Sequence, residues 1–153
     1  MAVKLVKPIN HKKVVKITNQ DFEAKMRELR VNSDIAVAVS GGPDSLALMH
    51  LSNRYALNNN INLTVLSIDH GIRAESSKEI VWLKKVAKKN KINFYSTKLK
   101  KKINSSNTLS KARTLRYEAL SKYCNKKKIK FLLTAHHLDD EIENFLMRLI
   151  RGS

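Results

Sequence analysis

The 153-residue sequence predicts an α/β fold built on a parallel sheet with helices on both faces. Three observations carry this. Short apolar runs of strand length recur near 35–39, 63–68, 93–99 and 131–134, and a helix-length stretch separates each from the next. The runs are mostly apolar throughout rather than alternating, as strands covered on both faces are. Polar, chemistry-rich segments follow three of them, which is where ligands bind in open α/β sheets.

Taken in order, residues 1–18 form a basic leader. Asp21–Leu29 is helix-like, with Phe22, Met26 and Leu29 on one face. The first strand is Ile35–Val39. A Gly-rich loop, Ser40–Ser45, leads into a helix to about Ala56 that ends at Asn58-Asn59-Asn60. The second strand, Leu63–Ile68, delivers Asp69-His70-Gly71. Ser76 and Glu79 have capping-box spacing and open a helix through Ile80, Leu83, Val86 and Ala87. The third strand is about Asn93–Leu99. A polar loop, Lys100–Asn107, precedes a helix from Leu109 to about Cys124. The fourth strand is Phe131–Thr134, and a last helix is expected from near Asp139, carrying Ile142, Phe145, Leu146 and Leu149.

Composition narrows the partners. Thirty Lys and Arg against 13 Asp and Glu leave a net charge of +17, which favours a polyanion such as RNA. The lysine run between 84 and 102 also fits ordinary solvated faces, and that alternative stays open here. With 6% aromatic residues, no base-stacking platform stands out. No apolar run reaches the length of a membrane span, and no secretory signal is recognisable, so a cytoplasmic protein without membrane contact is expected. Cys124 is the single cysteine, which excludes an intramolecular disulfide and a Cys-x-x-Cys site within this sequence.

The loop Ser40-Gly41-Gly42-Pro43-Asp44-Ser45 is the most specific feature. Its glycines permit a tight turn and close approach of a ligand. Its amides and those of the following helix can point at one anion, with Ser40 and Ser45 adding hydroxyl donors. Asp44 beside phosphate is repulsive unless Mg²⁺ lies between them, and magnesium takes one or two carboxylates together with phosphate oxygens. The loop lacks Gly-Lys-Ser/Thr and Gly-x-Gly-x-x-Gly, so it is neither a Walker A loop nor the dinucleotide fingerprint. The plain alternative is a strand–turn–helix connection capped by Ser40 or Asp44.

Three further clusters carry candidate chemistry. Asp69-His70-Gly71-Ile72-Arg73 leaves the second strand, and Asp69 there can hold a ribose hydroxyl or stay near a metal; an Asx turn is the plain reading. Arg113 and Arg116 share a helix face and can clamp phosphates, or simply face solvent. His136-His137-Leu138-Asp139-Asp140-Glu141-Ile142-Glu143 is dense in titratable groups. It fits a hard cation at Asp140, with a histidine such as His136 bonding phosphate or a nucleotide ring; Asp139 and Asp140 are not separated as cap and ligand.

Together the four blocks resemble the N-type ATP pyrophosphatases, whose pyrophosphate loop is Ser-Gly-Gly-x-Asp-Ser, and within them the amino-terminal domain of the tRNA(Ile)-lysidine synthetases. The matching segments are Ser40–Ser45, Asp69–Arg73 with Glu75 and Ser76, Ala112-Arg113 with Arg116-Tyr117, and Ala135-His136-His137 with Asp139, Asp140 and Glu143. Arg148 and Arg151-Gly152-Ser153 extend the match. Glu141 and Asn144 depart from the Gln and Thr usual there. The resemblance implies a Rossmann-like fold of the adenine nucleotide alpha hydrolase type, spanning residues 19–153 and incomplete at its carboxyl end. It implies ATP and Mg²⁺ as cofactors, and tRNA(Ile) and free L-lysine as partners. It implies a two-step reaction in which ATP adenylates O2 of the wobble cytidine and the lysine amine then attacks C2, displacing AMP. By position, Ser40–Ser45 hold phosphates, Asp44 and Asp140 hold Mg²⁺, and Arg113 stabilises the α-phosphate. Asp69, His70 and His136 fall to nucleotide binding. Another tRNA-modifying ATPase of the same family and a non-catalytic basic RNA-binding domain are the alternatives.

Overall fold

The computed structural model describes residues 17–69, 76–98, 108–138 and 142–149. Its first helix starts from a local signal. Thr18 is extended at the N-cap; its Oγ1 accepts from the Asp21 N–H at 3.1 Å, and Asp21 Oδ2 accepts from the Thr18 N–H at 2.9 Å. This box satisfies donors that the helix ladder leaves over. Hydrogen bonds from the Thr18 hydroxyl and then its backbone hold the Asp21 carboxyl below its ordinary range. The helix α1 (Asn19–Glu28) then buries Phe22 and Met26. It is followed by β1 (Ile35–Ala38), α2 (Pro43–Asn58), β2 (Leu63–Asp69), α3 (Ser76–Lys89), β3 (Asn93–Lys98), α4 (Thr108–Lys126), β4 (Phe131–Leu138) and β5 (Ile142–Leu149).

The sheet order is β3-β2-β1-β4-β5. The first four strands are parallel, with Ile35 opposite Leu63 and Phe131, and Thr64 opposite Asn93. Alternation along β1 divides the core. Ile35, Val37 and Val39 pack with Met26, Leu48, Met49 and Leu83 of α1, α2 and α3. Ala36 and Ala38 face the other way, where Leu120 and Cys124 of α4 meet Leu66 and Leu132. Helices therefore cover both faces, as expected. Tyr55 locks α2 to the chain entering β1: its hydroxyl donates to the Val31 carbonyl at 2.7 Å, and its ring meets Phe22 edge-on.

One element differs from expectation. Residues Ile142–Leu149 form an antiparallel strand against β4, with Phe131 opposite Leu149 and Leu138 opposite Ile142, where a helix was expected. Ile142, Phe145, Leu146 and Leu149 fit helical spacing, but Phe145, Met147 and Leu149 also alternate, and a run this short satisfies both periods. The outer edge of β4 decides between them, because its backbone donors and acceptors need a partner strand. β4 accordingly extends to Leu138, four residues past the expected end at Thr134, so His136 and His137 lie in a strand. The leader residues 1–16 lie outside the described residues.

Candidate functional site

The strand order places a topological switch point between β1 and β4: the chain leaves β1 through α2 to β2 on one side, while β4 adds on the other. Crevices at such points, beyond the carboxyl ends of the strands, are where open α/β sheets take ligands. A small cleft, about 40 Å³ in volume and open to solvent, lies here. Ala38, Val39 and Ser40 from the end of β1 and Thr134 and Ala135 from β4 line its floor. Leu66 and Ile68 of β2 extend it, and Arg116, Tyr117 and Leu120 of α4 form a wall. The small side chains of Ala38 and Ala135 leave room where larger ones would close the gap.

The Gly-rich loop forms the rim of this cleft. Gly41 takes φ +93°, a conformation that favours glycine, and a Cβ there would meet nothing within 4 Å. The loop folds back on itself through Ser45, which is buried: its Oγ donates to the Gly42 carbonyl at 2.9 Å and accepts from the Ser40 N–H at 3.3 Å. Gly42 is the N-cap of α2, Pro43 follows at the first helical turn, and no side chain caps the helix. The α2 ladder begins with the Leu46 N–H donating to the Gly42 carbonyl at 3.1 Å, so the amides before it stand outside that ladder. A Gly-lined turn, a helix N-terminus without a side-chain cap and two hydroxyls suit an anion such as a phosphate group. Asp44 is exposed in the first turn of α2. One exposed carboxylate beside a phosphate cradle fits a magnesium ion that takes its remaining ligands from phosphate and water. Among the described residues, no group of three or more His, Cys, Asp or Glu side chains gathers as a ready-made metal cage.

The other expected residues are distributed around this rim. Asp69 ends β2 at the same sheet edge and is 3% exposed. Arg113 lies on α4, one turn before Arg116. His136 lies on β4, two residues beyond Thr134. His70 and Asp140 lie outside the described residues. The structure thus brings Ser40 and Ser45 together with Arg116 and Tyr117, and the Arg116 guanidinium lies 5.9 Å from the Tyr117 ring centre. Sequence reasoning underweighted Arg116 and missed Lys98. The Lys98 ammonium sits 3.6 Å from the Asp69 carboxylate because β2–β3 register puts the two residues opposite one another. Register between separate strands is a non-local signal; only the matching of strand ends could have found the pair. Thr134 and Ala135 were missed because nothing in their chemistry distinguishes them from strand residues.

Comparison with known proteins supports the placement of this fold. The chain is 48% identical over 121 residues to a tRNA(Ile)-lysidine synthase of Rickettsia bellii, covering 79% of this chain and 28% of that protein. It is 40% identical over 137 residues to the tRNA(Ile)-lysidine synthase of Rickettsia typhi, covering 88% of this chain and 32% of the relative. The chain therefore spans about a third of the length of these relatives. Among solved structures, it superposes on the U34-tRNA thiolase NcsA of Methanococcus maripaludis with a TM-score of 0.66 and 25% identity, over 79% of this chain and 46% of that one. The NH3-dependent NAD synthetase of Campylobacter jejuni shares the fold at a TM-score of 0.54 and 17% identity, over 76% and 56% of the two chains. The pattern of the PP-loop domain family matches residues 10–153, and the chain belongs to that family.

Proposed function

We propose that this chain is the ATP-binding part of a tRNA-modifying ligase that joins free lysine to C2 of the wobble cytidine of tRNA(Ile). The observation that carries the reading is the glycine turn at the N-terminus of α2, which no side chain caps, set on the rim of the switch-point cleft. The family match and the named relatives support the choice of reaction. In this reading the Ser40–Ser45 loop binds the pyrophosphate portion of ATP through backbone amides and hydroxyls. Asp44, together with Asp140, holds Mg²⁺, which offsets charge on the phosphates. Arg113 and Arg116 lie one turn apart on α4 and serve the α-phosphate, where negative charge builds as cytosine O2 attacks and pyrophosphate leaves. Adenylation turns O2 into a good leaving group; the lysine amine then adds at C2 and AMP departs. Asp69, His70 and His136 hold the nucleoside.

The likeness to a thiolase raises a second reading, sulfur transfer to tRNA by another member of the family. The chain's own chemistry disfavours it. Cys124 is the only cysteine in the sequence, it is fully buried on the core side of α4, and burial pushes its thiol pKa up to about 11. A protonated, enclosed thiol is a packing residue, not a nucleophile or cluster ligand.

The test is nucleotide-dependent stabilisation. A ligand at 100 times its Kd stabilises by about 2.7 kcal/mol, which at about 2–4 °C per kcal/mol is a rise of roughly 5–11 °C in Tm for a domain of this size. ATP with Mg²⁺ is expected to produce that rise, and Asp44→Ala to remove most of it. An equal rise in the variant, or none in the parent chain, rejects this site. Labelled lysine entering unmodified tRNA(Ile) only when ATP is present tests the reaction itself.

A further inference from the structure

We propose that the outward face of α3 is an RNA-backbone contact, a basic stripe with one stacking aromatic that leads toward the nucleotide edge of the sheet. The proposal rests on the tRNA-modifying reading and assigns the surface on which RNA lies.

Leu83 and Ala87 anchor α3 in the core. On the opposite side, Lys78, Trp82, Lys85 and Lys89 follow one another at intervals of four, three and four residues, which aligns them along one helix face. All four are exposed, and Val81 and Lys88 flank the stripe. Trp82 is 47% exposed and Val81 55%, large apolar surfaces left in water on a helix whose core side is fully used. At 1.5 Å per residue the stripe is about 16 Å long.

Ordinary surface chemistry does not account for it. Lys88 and Lys89 suit the negative end of the helix dipole, but Lys78 sits in the first turn, where the dipole disfavours a cation. Glu79 is the one carboxylate of α3, and among the described residues no ion pair engages the helix's lysines. A row of ammonium groups, without an ion pair among the described residues and interrupted by an indole, matches the general design for holding a nucleic-acid strand: cations track phosphates and the aromatic stacks on a base. Topology gives the stripe direction. β2 and β3 are parallel, so α3 must start at the carboxyl edge of the sheet, where the Gly-rich loop and Asp69 lie, and run back toward the other edge. A strand bound along α3 is thereby led to the cleft.

Trp82 is the only tryptophan in the chain, so its emission reports on this face alone. Titration of the 153-residue chain with unmodified tRNA is expected to quench Trp82, in parallel with binding followed by anisotropy of labelled tRNA. Changing Lys78, Lys85 and Lys89 together to Ala is expected to weaken binding about tenfold or more and to reduce the slope of log K against log salt by roughly two to three. Trp82→Leu is expected to weaken binding several-fold while keeping the slope. ATP–Mg²⁺ stabilisation should persist in these variants, which shows that they fold and separates this surface from the nucleotide site. Binding that leaves Trp82 emission unchanged, a triple variant that binds like the parent, or no tRNA binding at all overturns the proposal whether or not ATP binds. So does displacement of tRNA from Trp82 by phosphatidylserine vesicles at lower charge concentration, which would make the face a membrane contact.

Discussion

Replacing Gly41 by Ala isolates the backbone conformation that only glycine takes freely in the loop. Gly41 has φ +93°, beyond the ordinary left-handed basin, and an added Cβ would meet no atom within 4 Å. The penalty is therefore conformational, with no steric overlap to relieve. Left-handed backbone costs an L-residue about 1–2 kcal/mol, and φ +93° belongs at the upper end. Restricting the unfolded chain by a Gly→Ala change returns about 0.4–1 kcal/mol. The expected net loss is about 1 kcal/mol, or roughly 2–4 °C in Tm. Gly42→Ala is the internal control. Gly42 has φ −70° and ψ 159°, open to any residue, and its added Cβ would lie 3.8 Å from Ser40 Oγ, an ordinary contact. Loss of a tolerated N-cap glycine and the gain in unfolded-state restriction nearly cancel, so its stability should stay within about 0.5 kcal/mol of the parent. Urea unfolding of the three proteins without nucleotide reads the difference directly. If Gly41→Ala is as stable as the parent, or Gly42→Ala is the more damaging change, the assignment of a glycine-favouring conformation to Gly41 is wrong.

Tyr55→Phe keeps the ring against Phe22 but strips the Val31 carbonyl of its 2.7 Å buried donor. A loss of about 1–3 kcal/mol is expected in urea unfolding, and a neutral result would mean that the carbonyl finds another donor. The Asp21 carboxyl, held below its usual 3.8 by Thr18, contributes stability that is present above that value and lost as pH falls through its lower folded value. The parent chain should therefore exceed Asp21→Asn in Tm at about pH 6 and converge with it in acid, below the folded value; a gap independent of pH would contradict the ionised cap.

Legibility in the sequence followed how local each decision is. The strand β1 was readable because Ile35, Ala36 and Val37 are apolar, short in run and bounded by polar turns, and all three are fully buried. The loop at its end was readable because Gly-Gly between serines has few structural uses. The start of α1 at Thr18 was missed by a few residues, since Asp21 takes the place of the Glu or Gln that marks the usual capping box. β5 was misread because its periodicity is ambiguous and its fate depends on pairing with the open edge of β4, which the spacing of its own apolar residues does not report. The place of Arg116 is of the same kind. Helix spacing puts it on one face with Arg113, but only the packing of α4 over Ala36 and Leu66 shows that Arg116 reaches the cleft.

The two helices whose N-caps the structure defines show where this chain trades stability for chemistry. α1 begins with a full reciprocal box in which Thr18 and Asp21 satisfy one another. α2 begins on a glycine, with a proline behind it and no capping side chain, although a Ser, Asp or Asn at position 42 would fit its extended backbone. The chain can therefore build a cap and does not build one here. A capping side chain at that position would occupy amides of the first turn, and a carboxylate would repel a phosphate arriving there. The same logic applies one residue earlier, where Gly41 holds a conformation that costs any other residue about 1–2 kcal/mol. Both concessions fall between β1 and α2, where the buried Ile35, Val37, Leu48 and Met49 supply the rigid support that an open loop requires.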